Sequence, residues 1–281
     1  MEPSYYRLFS LVCIISLIAC QSKTEKTTAP ISQSFEAERA AFFSSLRTPE
    51  EVSANLLPGL SGFNPALLHH AKDFHRYASN DVKAAANLGI YLADLNYCVL
   101  FKESVVGKEY LTAVLELSNV ILLEKGTLEF LMTRYENNLA QNDSLRTVVQ
   151  ALFSNATHGL QGSIKERLAG IAMAAYQLEN LHLALATLET FPATLNEEQQ
   201  KSKDLLVQFV SGQQPSMEII YNFIKANTDP MDPENNPNYP FYDNALREVL
   251  YVYQQSTTGE LKIKELQTSV ELLRSKVLSV E

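Results

Sequence analysis

Residues 82–101 read VKAAANLGIYLADLNYCVLF, with Lys83 at one end and Asp94 as the one acid inside an otherwise uncharged run. At 3.6 residues per turn the segment makes about five turns of helix. It is apolar nearly all round, which predicts a helix buried in the middle of a helical packing. Ala85, Gly89 and Ala93 recur every four residues and form a ridge of small side chains that lets another helix come close. Asn87 and Asp94 are seven apart and lie on nearly the same line of the helix, and Tyr91 falls between them. A buried Asp must be paired or protonated, because an isolated charge in a core is very costly. Asn87, Tyr91 and Asp94 are therefore the candidate ligand-binding residues. One reading is a polar pocket in which Asp94 binds a ligand or moves a proton. The other, preferred here, is a structural network in which Asp94 meets an Arg or Tyr from elsewhere, since such networks perturb carboxylates too. Cys98 shares the helix and reads as a small core residue.

The chain on either side follows the same three- and four-residue spacing of apolar positions from residue 32 onward, without sustained alternation. Helices are expected near 33–46, 49–56, 65–78, 81–102, 107–124, 128–140, 143–155, 164–190, 197–210, 217–227, 241–255 and 260–280. Start signals accompany them. Thr48-Pro49-Glu50-Glu51 and Asn64-Pro65 combine a cap with Pro, and Ser163 with Glu166 and Thr194 with Glu197 have capping-box spacing. Thr127, Asn142 and Ser216 are candidate lone caps. The expected fold class is all-α, a multi-helix bundle of about twelve helices in packed layers, with solenoid-like helical pairs as an alternative. Residues 168–192 carry a faint tetratricopeptide character, but no second copy recurs at a fixed period, and stacked repeats need about three units.

Two features mark the C-terminal part. Residues 227–240, NTDPMDPENNPNYP, hold four Pro and no apolar period, a sub-boundary or binding loop whose acids lack the spacing of a calcium loop. In the last helix Ile263, Leu266, Val270, Leu273, Val277 and Val280 form a seam with spacings of three and four. The seam is too short for a coiled coil, and Arg274 and Lys276 flank it with like charge. Packing within the domain, on the 241–255 helix, is expected, and a monomer rather than a homodimer.

At the other end, Arg7 precedes LFSLVCIISLIA (residues 8–19), an apolar run too short to span a bilayer as a helix. It fits a secretory signal peptide over 1–19. Leu17-Ile18-Ala19-Cys20 resembles the lipobox of bacterial lipoproteins, in which cleavage falls before the Cys. The resemblance implies a diacylglycerol on the Cys20 thiol and a further acyl chain, such as palmitate, on its freed amine. Each buried methylene contributes about 0.8 kcal/mol, so two or three chains anchor firmly where one is marginal. Residues 20–31 then form a polar, Thr-rich tether, and 32–281 the helical domain. Lys23 and Lys26 flank a single Glu25, unlike the acidic run that follows the Cys in surface-exported lipoproteins of Bacteroidota. The expected address is the cell envelope, at an outer membrane facing the periplasm.

Composition narrows function by exclusion. Of 281 residues 46% are hydrophobic, and 23 Lys and Arg stand against 32 Asp and Glu for a net charge of −9. Nucleic acid is not an expected partner, because no basic stripe is available to neutralise phosphates. Once Cys13 leaves with the signal and Cys20 is modified, Cys98 remains alone, so no intramolecular disulfide is expected. His69, His70 and His75 surround Asp73, but on one helix the second and third rings point about 100° and 240° from the first and cannot converge on a metal. On that wheel His69, Asp73 and Arg76 make an exposed polar strip. No zinc-protease, dithiol, nucleophile-elbow or phosphate-loop motif occurs. No catalytic residue, metal or cofactor is assigned.

Thr48-Pro49-Glu50-Glu51, Asn64-Pro65 leading to Tyr77, and the 83–97 segment KAAANLGIYLADLNY together are similar to a family of lipoproteins from Bacteroidota, over about a fifth of the chain. The resemblance implies source and placement and adds no functional residue. The expected role is a lipid-anchored, non-enzymatic envelope protein that binds an envelope protein or a small ligand or serves structurally. The alternatives are an enzyme acting on envelope polymers through a pocket around Asn87 and Asp94, and a helical assembly scaffold.

Overall fold

A computed structural model describes residues 33–121, 125–163, 165–226, 239–256 and 262–279. The expected signal peptide at 1–19, the expected tether at 20–31 with Cys20, and all but the last two residues of the 227–240 connection lie outside the described residues.

Eleven α-helices occur among the described residues, and no strand: α1 (Gln33–Ser45), α2 (Pro49–Leu56), α3 (Asp81–Leu100), α4 (Ser104–Val120), α5 (Lys125–Asn137), α6 (Asn142–His158), α7 (Glu166–Glu189), α8 (Glu197–Ser211), α9 (Gln214–Ala226), α10 (Tyr239–Gln255) and α11 (Ile263–Val277). The all-α class follows directly from the apolar spacing. Two of the helices, α3 and α7, are buried nearly all round and pack on each other at the centre. Gly89 allows the close crossing: a Cβ there would stand 2.0 Å from the Ala172 carbonyl oxygen and 2.8 Å from the Tyr176 nitrogen. The ridge of small residues therefore receives α7.

Around this pair, α4 and α6 cover α3, and α9 and α11 cover α7. α1 docks on α9 through Phe42 and Phe223, whose rings stack 4.0 Å apart with planes 7° from parallel. The α11 seam is satisfied within the chain. Leu266, Val270, Leu273 and Val277 are buried against α7 and α10.

Several helix starts differ from expectation in their chemistry. Thr48 and Glu51 form the expected capping box on α2. The box on α8 is made by Asn196 and Gln199, two residues past Thr194. Ser163 does not close a box with Glu166, whose carboxylate instead takes Arg39 Nε at 2.8 Å and the Gly162 N–H. α3 is capped by Asn80, whose Oδ1 accepts the N–H groups of Val82 and Lys83. Asn142 lies inside α6 and Ser216 inside α9, so neither is a cap; the Thr127 side chain lies outside the described residues.

The largest departure is at 65–78. No α-helix forms there. The segment consists of two short 3₁₀ turns, Pro65–Leu67 and Ala71–Tyr77, joined by extended backbone at Leu68 and His70. Its backbone groups have been taken by side chains from three other helices, which is the feature that organises the site.

Candidate functional site

The polar line of α3 faces this irregular segment and holds it. Tyr97 Oη donates to the Gly62 carbonyl and accepts the Asn64 N–H. Tyr91 Oη donates to the His70 carbonyl at 3.1 Å. The His69 N–H donates to Asp94 Oδ2 at 3.2 Å. Asn87 Nδ2 donates to the Val277 carbonyl at the end of α11, and also to the Lys83 carbonyl one turn back. Asn87, Tyr91 and Asp94 thus share one face, as their spacing requires, and all three are wholly buried. They meet the chain itself: the 62–70 segment and the last turn of α11.

Two further helices grip the same segment. The Leu67 carbonyl accepts from His182 Nε2 of α7 at 3.0 Å and from Arg274 Nη2 of α11 at 3.4 Å. A carbonyl and an N–H drawn out to side chains in this way cannot serve an α-helical ladder, which accounts for the missing helix. The wheel that set His69, Asp73 and Arg76 on an exposed strip fails for His69, while Asp73 and Arg76 pair at the surface at 3.6 Å. His69 turns inward, its Nε2 3.0 Å from Tyr77 Oη, while Tyr77 donates to the Leu278 carbonyl. The proton between His69 and Tyr77 therefore belongs to Nε2. Burial, with Arg274 nearby, pushes the His69 pKa down to about 4. At neutral pH its ring is uncharged.

An ionic cluster lies beneath. Glu179 of α7 is wholly buried and takes Arg274 Nε at 2.7 Å and Nη2 at 2.8 Å. Arg274 flanks the seam, and its side chain, only 14% exposed, reaches over the seam into the core. The Asp94 carboxyl stands within hydrogen-bonding reach of Glu179, and its Oδ1 has no donor. Two facing carboxyls satisfy each other only when one carries a proton. The fork to Arg274 belongs to Glu179, so the proton sits on Asp94, whose pKa is raised well above the carboxylate range by burial and by the Glu179 charge. At the outer edge His182 Nδ1 meets Glu271 of α11, and that bond holds the Glu271 carboxyl below its usual range.

Asp94 drew attention as the lone acid in an apolar helix. Glu179 carries the same signal in residues 168–188, LAGIAMAAYQLENLHLALATL, where it is the lone acid of the apolar stretch of α7. Its partner Arg274 has no such signal, because an Arg beside an apolar seam looks solvated. Cys98 is buried and burial pushes its thiol pKa up, so it is a packed and unreactive thiol. Among the described residues no three His, Cys, Asp or Glu side chains stand together in a way that could hold a metal ion, and no helix is long and apolar enough to cross a membrane.

In comparisons with known proteins, no family model, no curated protein and no solved structure matches the chain.

Proposed function

We propose that this chain is a lipid-anchored helical protein of the bacterial cell envelope, which binds a partner protein or small ligand and uses its buried carboxyls for structure and not for catalysis. The anchor is the Cys20 lipid, and the address is an outer membrane with the helical domain in the periplasm. The apolar run of 8–19 and Leu17-Ile18-Ala19-Cys20 support this placement.

The observation that carries the non-catalytic role is the closure of the central cluster. Arg274 has Nε and Nη2 on Glu179, and Asp94 takes the His69 N–H beside Glu179 and Arg274 in a position without solvent exposure. A general acid must reach a substrate atom within about 3 Å. Asp94, with no solvent exposure, presents no surface to one, and the cluster ties the 62–70 segment and the C-terminal helix to the central pair.

Fractionation of cells producing the wild type or Cys20→Ala tests the placement. The wild type is expected in the membrane fraction and resistant to salt extraction, and the variant in the soluble envelope fraction. Identical distribution of the two would overturn the anchor.

A further inference from the structure

A separate cleft opens where α2, α3 and α6 meet, with a volume of about 490 Å³. That is within the range of small-molecule sites, which are commonly apolar with a few placed polar groups. Its floor is Asn96 of α3, only 5% exposed, and its aliphatic walls are Leu57 and Leu100.

The polar groups are biased toward acceptors. Asn96 Nδ2 donates to Ser53 Oγ at 3.1 Å, and Ser53 in turn donates to the Pro49 carbonyl. The serine proton is thereby committed, and Asn96 Oδ1 is left with a 3.5 Å contact to that same hydroxyl. Across the cleft Gln150 Oε1 is buried and has no hydrogen-bond partner. A buried acceptor left unmade costs stability and calls for an explanation. Glu50 and Asp143 add two exposed carboxylates at the rim, and Arg146 a single cation.

We propose that this cleft binds a small aliphatic α-amino acid. The ammonium meets the Asn96 carbonyl oxygen, and that of Gln150 once its amide turns into the cleft, under the field of Glu50 and Asp143. The carboxylate meets Arg146, and the side chain lies on Leu57 and Leu100. A neutral polyol would leave the rim charges without a role, and an anion alone would meet two carboxylates. The inference makes no use of Cys20, so its failure would leave the membrane placement standing.

Titration calorimetry of the full chain in detergent tests it, with L-leucine as the probe. Isoamylamine lacks the carboxylate, 4-methylpentanoate lacks the ammonium, and glucose is the neutral control. Saturable one-to-one binding of leucine is expected, weakened about tenfold or more when either charged group is missing, the worth of one charge-assisted hydrogen bond. Gln150→Met and Arg146→Met, on the less buried side of the cleft, should weaken leucine at least as much without changing the melting temperature. Asn96→Leu adds the floor, provided that it melts like the wild type. The proposal is overturned if leucine gives no saturable heat at millimolar concentration, if glucose binds instead, or if neither rim variant alters binding.

Discussion

Arg274, on the last helix, closes Nε and Nη2 on the two oxygens of Glu179 in the centre of the domain, at 2.7 and 2.8 Å. The pair joins positions 95 residues apart and lets the same guanidinium reach the Leu67 carbonyl. One contact therefore fixes α11, α7 and the irregular 62–70 segment together.

Breaking that pair on one side leaves a charge stranded in the core. Glu179→Gln should destabilise the domain by about 3–5 kcal/mol in a denaturant titration. The double replacement Glu179→Met with Arg274→Met removes both charges and should cost less than Glu179→Gln alone. A loss below about 1 kcal/mol for Glu179→Gln, the range of exposed pairs, would mean that the fork is not holding α11.

Burial and the Glu179 charge raise the Asp94 pKa in the fold well above its unfolded value of about 3.9. The folded state then binds more protons above that pH, so the Asp94 contribution is complete below about pH 4 and is lost as pH rises toward its raised folded value. Asp94→Asn keeps the acceptor for the His69 N–H and offers an N–H to Glu179. It should remove this loss, leaving a chain as stable as the wild type at pH 7 or more so, and flatter in stability above about pH 4. A steeper decline in the variant would contradict the protonated assignment.

His69 contributes with the opposite sign. Its folded pKa is about 4 against about 6.5 unfolded. The unfolded chain binds more protons between those values, so stability is complete above about pH 6.5 and falls as pH drops toward 4. His69→Gln should abolish this acid-side loss. Melting curves of wild type and variant across pH 4–7 should converge at the acid end if the ring is neutral in the fold. Parallel curves would show that it is not.

Gly89 is the point of closest approach of α3 and α7. In Gly89→Ala the new methyl would meet backbone, the Ala172 oxygen at 2.0 Å, which no rotamer change relieves. Loss of several kcal/mol is expected, more than for a typical overpacked core of about 1–3 kcal/mol. Gly170→Ala meets the Phe223 ring at 2.7 Å, and a ring can shift. It should be the milder variant by melting temperature, and the reverse order would contradict the crossing geometry.

The apolar run of 82–101 marks α3 as the buried central helix, and the cap and Pro at 48–51 place the start of α2 to the residue; that α7 is its partner is carried by the structure. These signals are local and survive because the surrounding packing agrees with them. The 65–78 segment shows where locality ends. Its periodicity suits a helix, yet the Leu67 and His70 carbonyls and the His69 N–H go to His182, Arg274, Tyr91 and Asp94, all distant in the chain. Asp94 was legible as a buried acid needing a partner. That the fork would go to its neighbour Glu179, and come from an Arg beside an exposed-looking seam, depends on the crossing of α7 and α11, which no spacing records. The cleft at Asn96 was hidden for the same reason, since it exists only where three helices converge.

Intact mass analysis of the protein isolated from the membranes of its own cells tests the proposed placement most directly. The account predicts a chain starting at Cys20 and carrying a diacylglycerol with a further acyl group on the amine. An unacylated start, or a chain that retains residues 1–19, would contradict it.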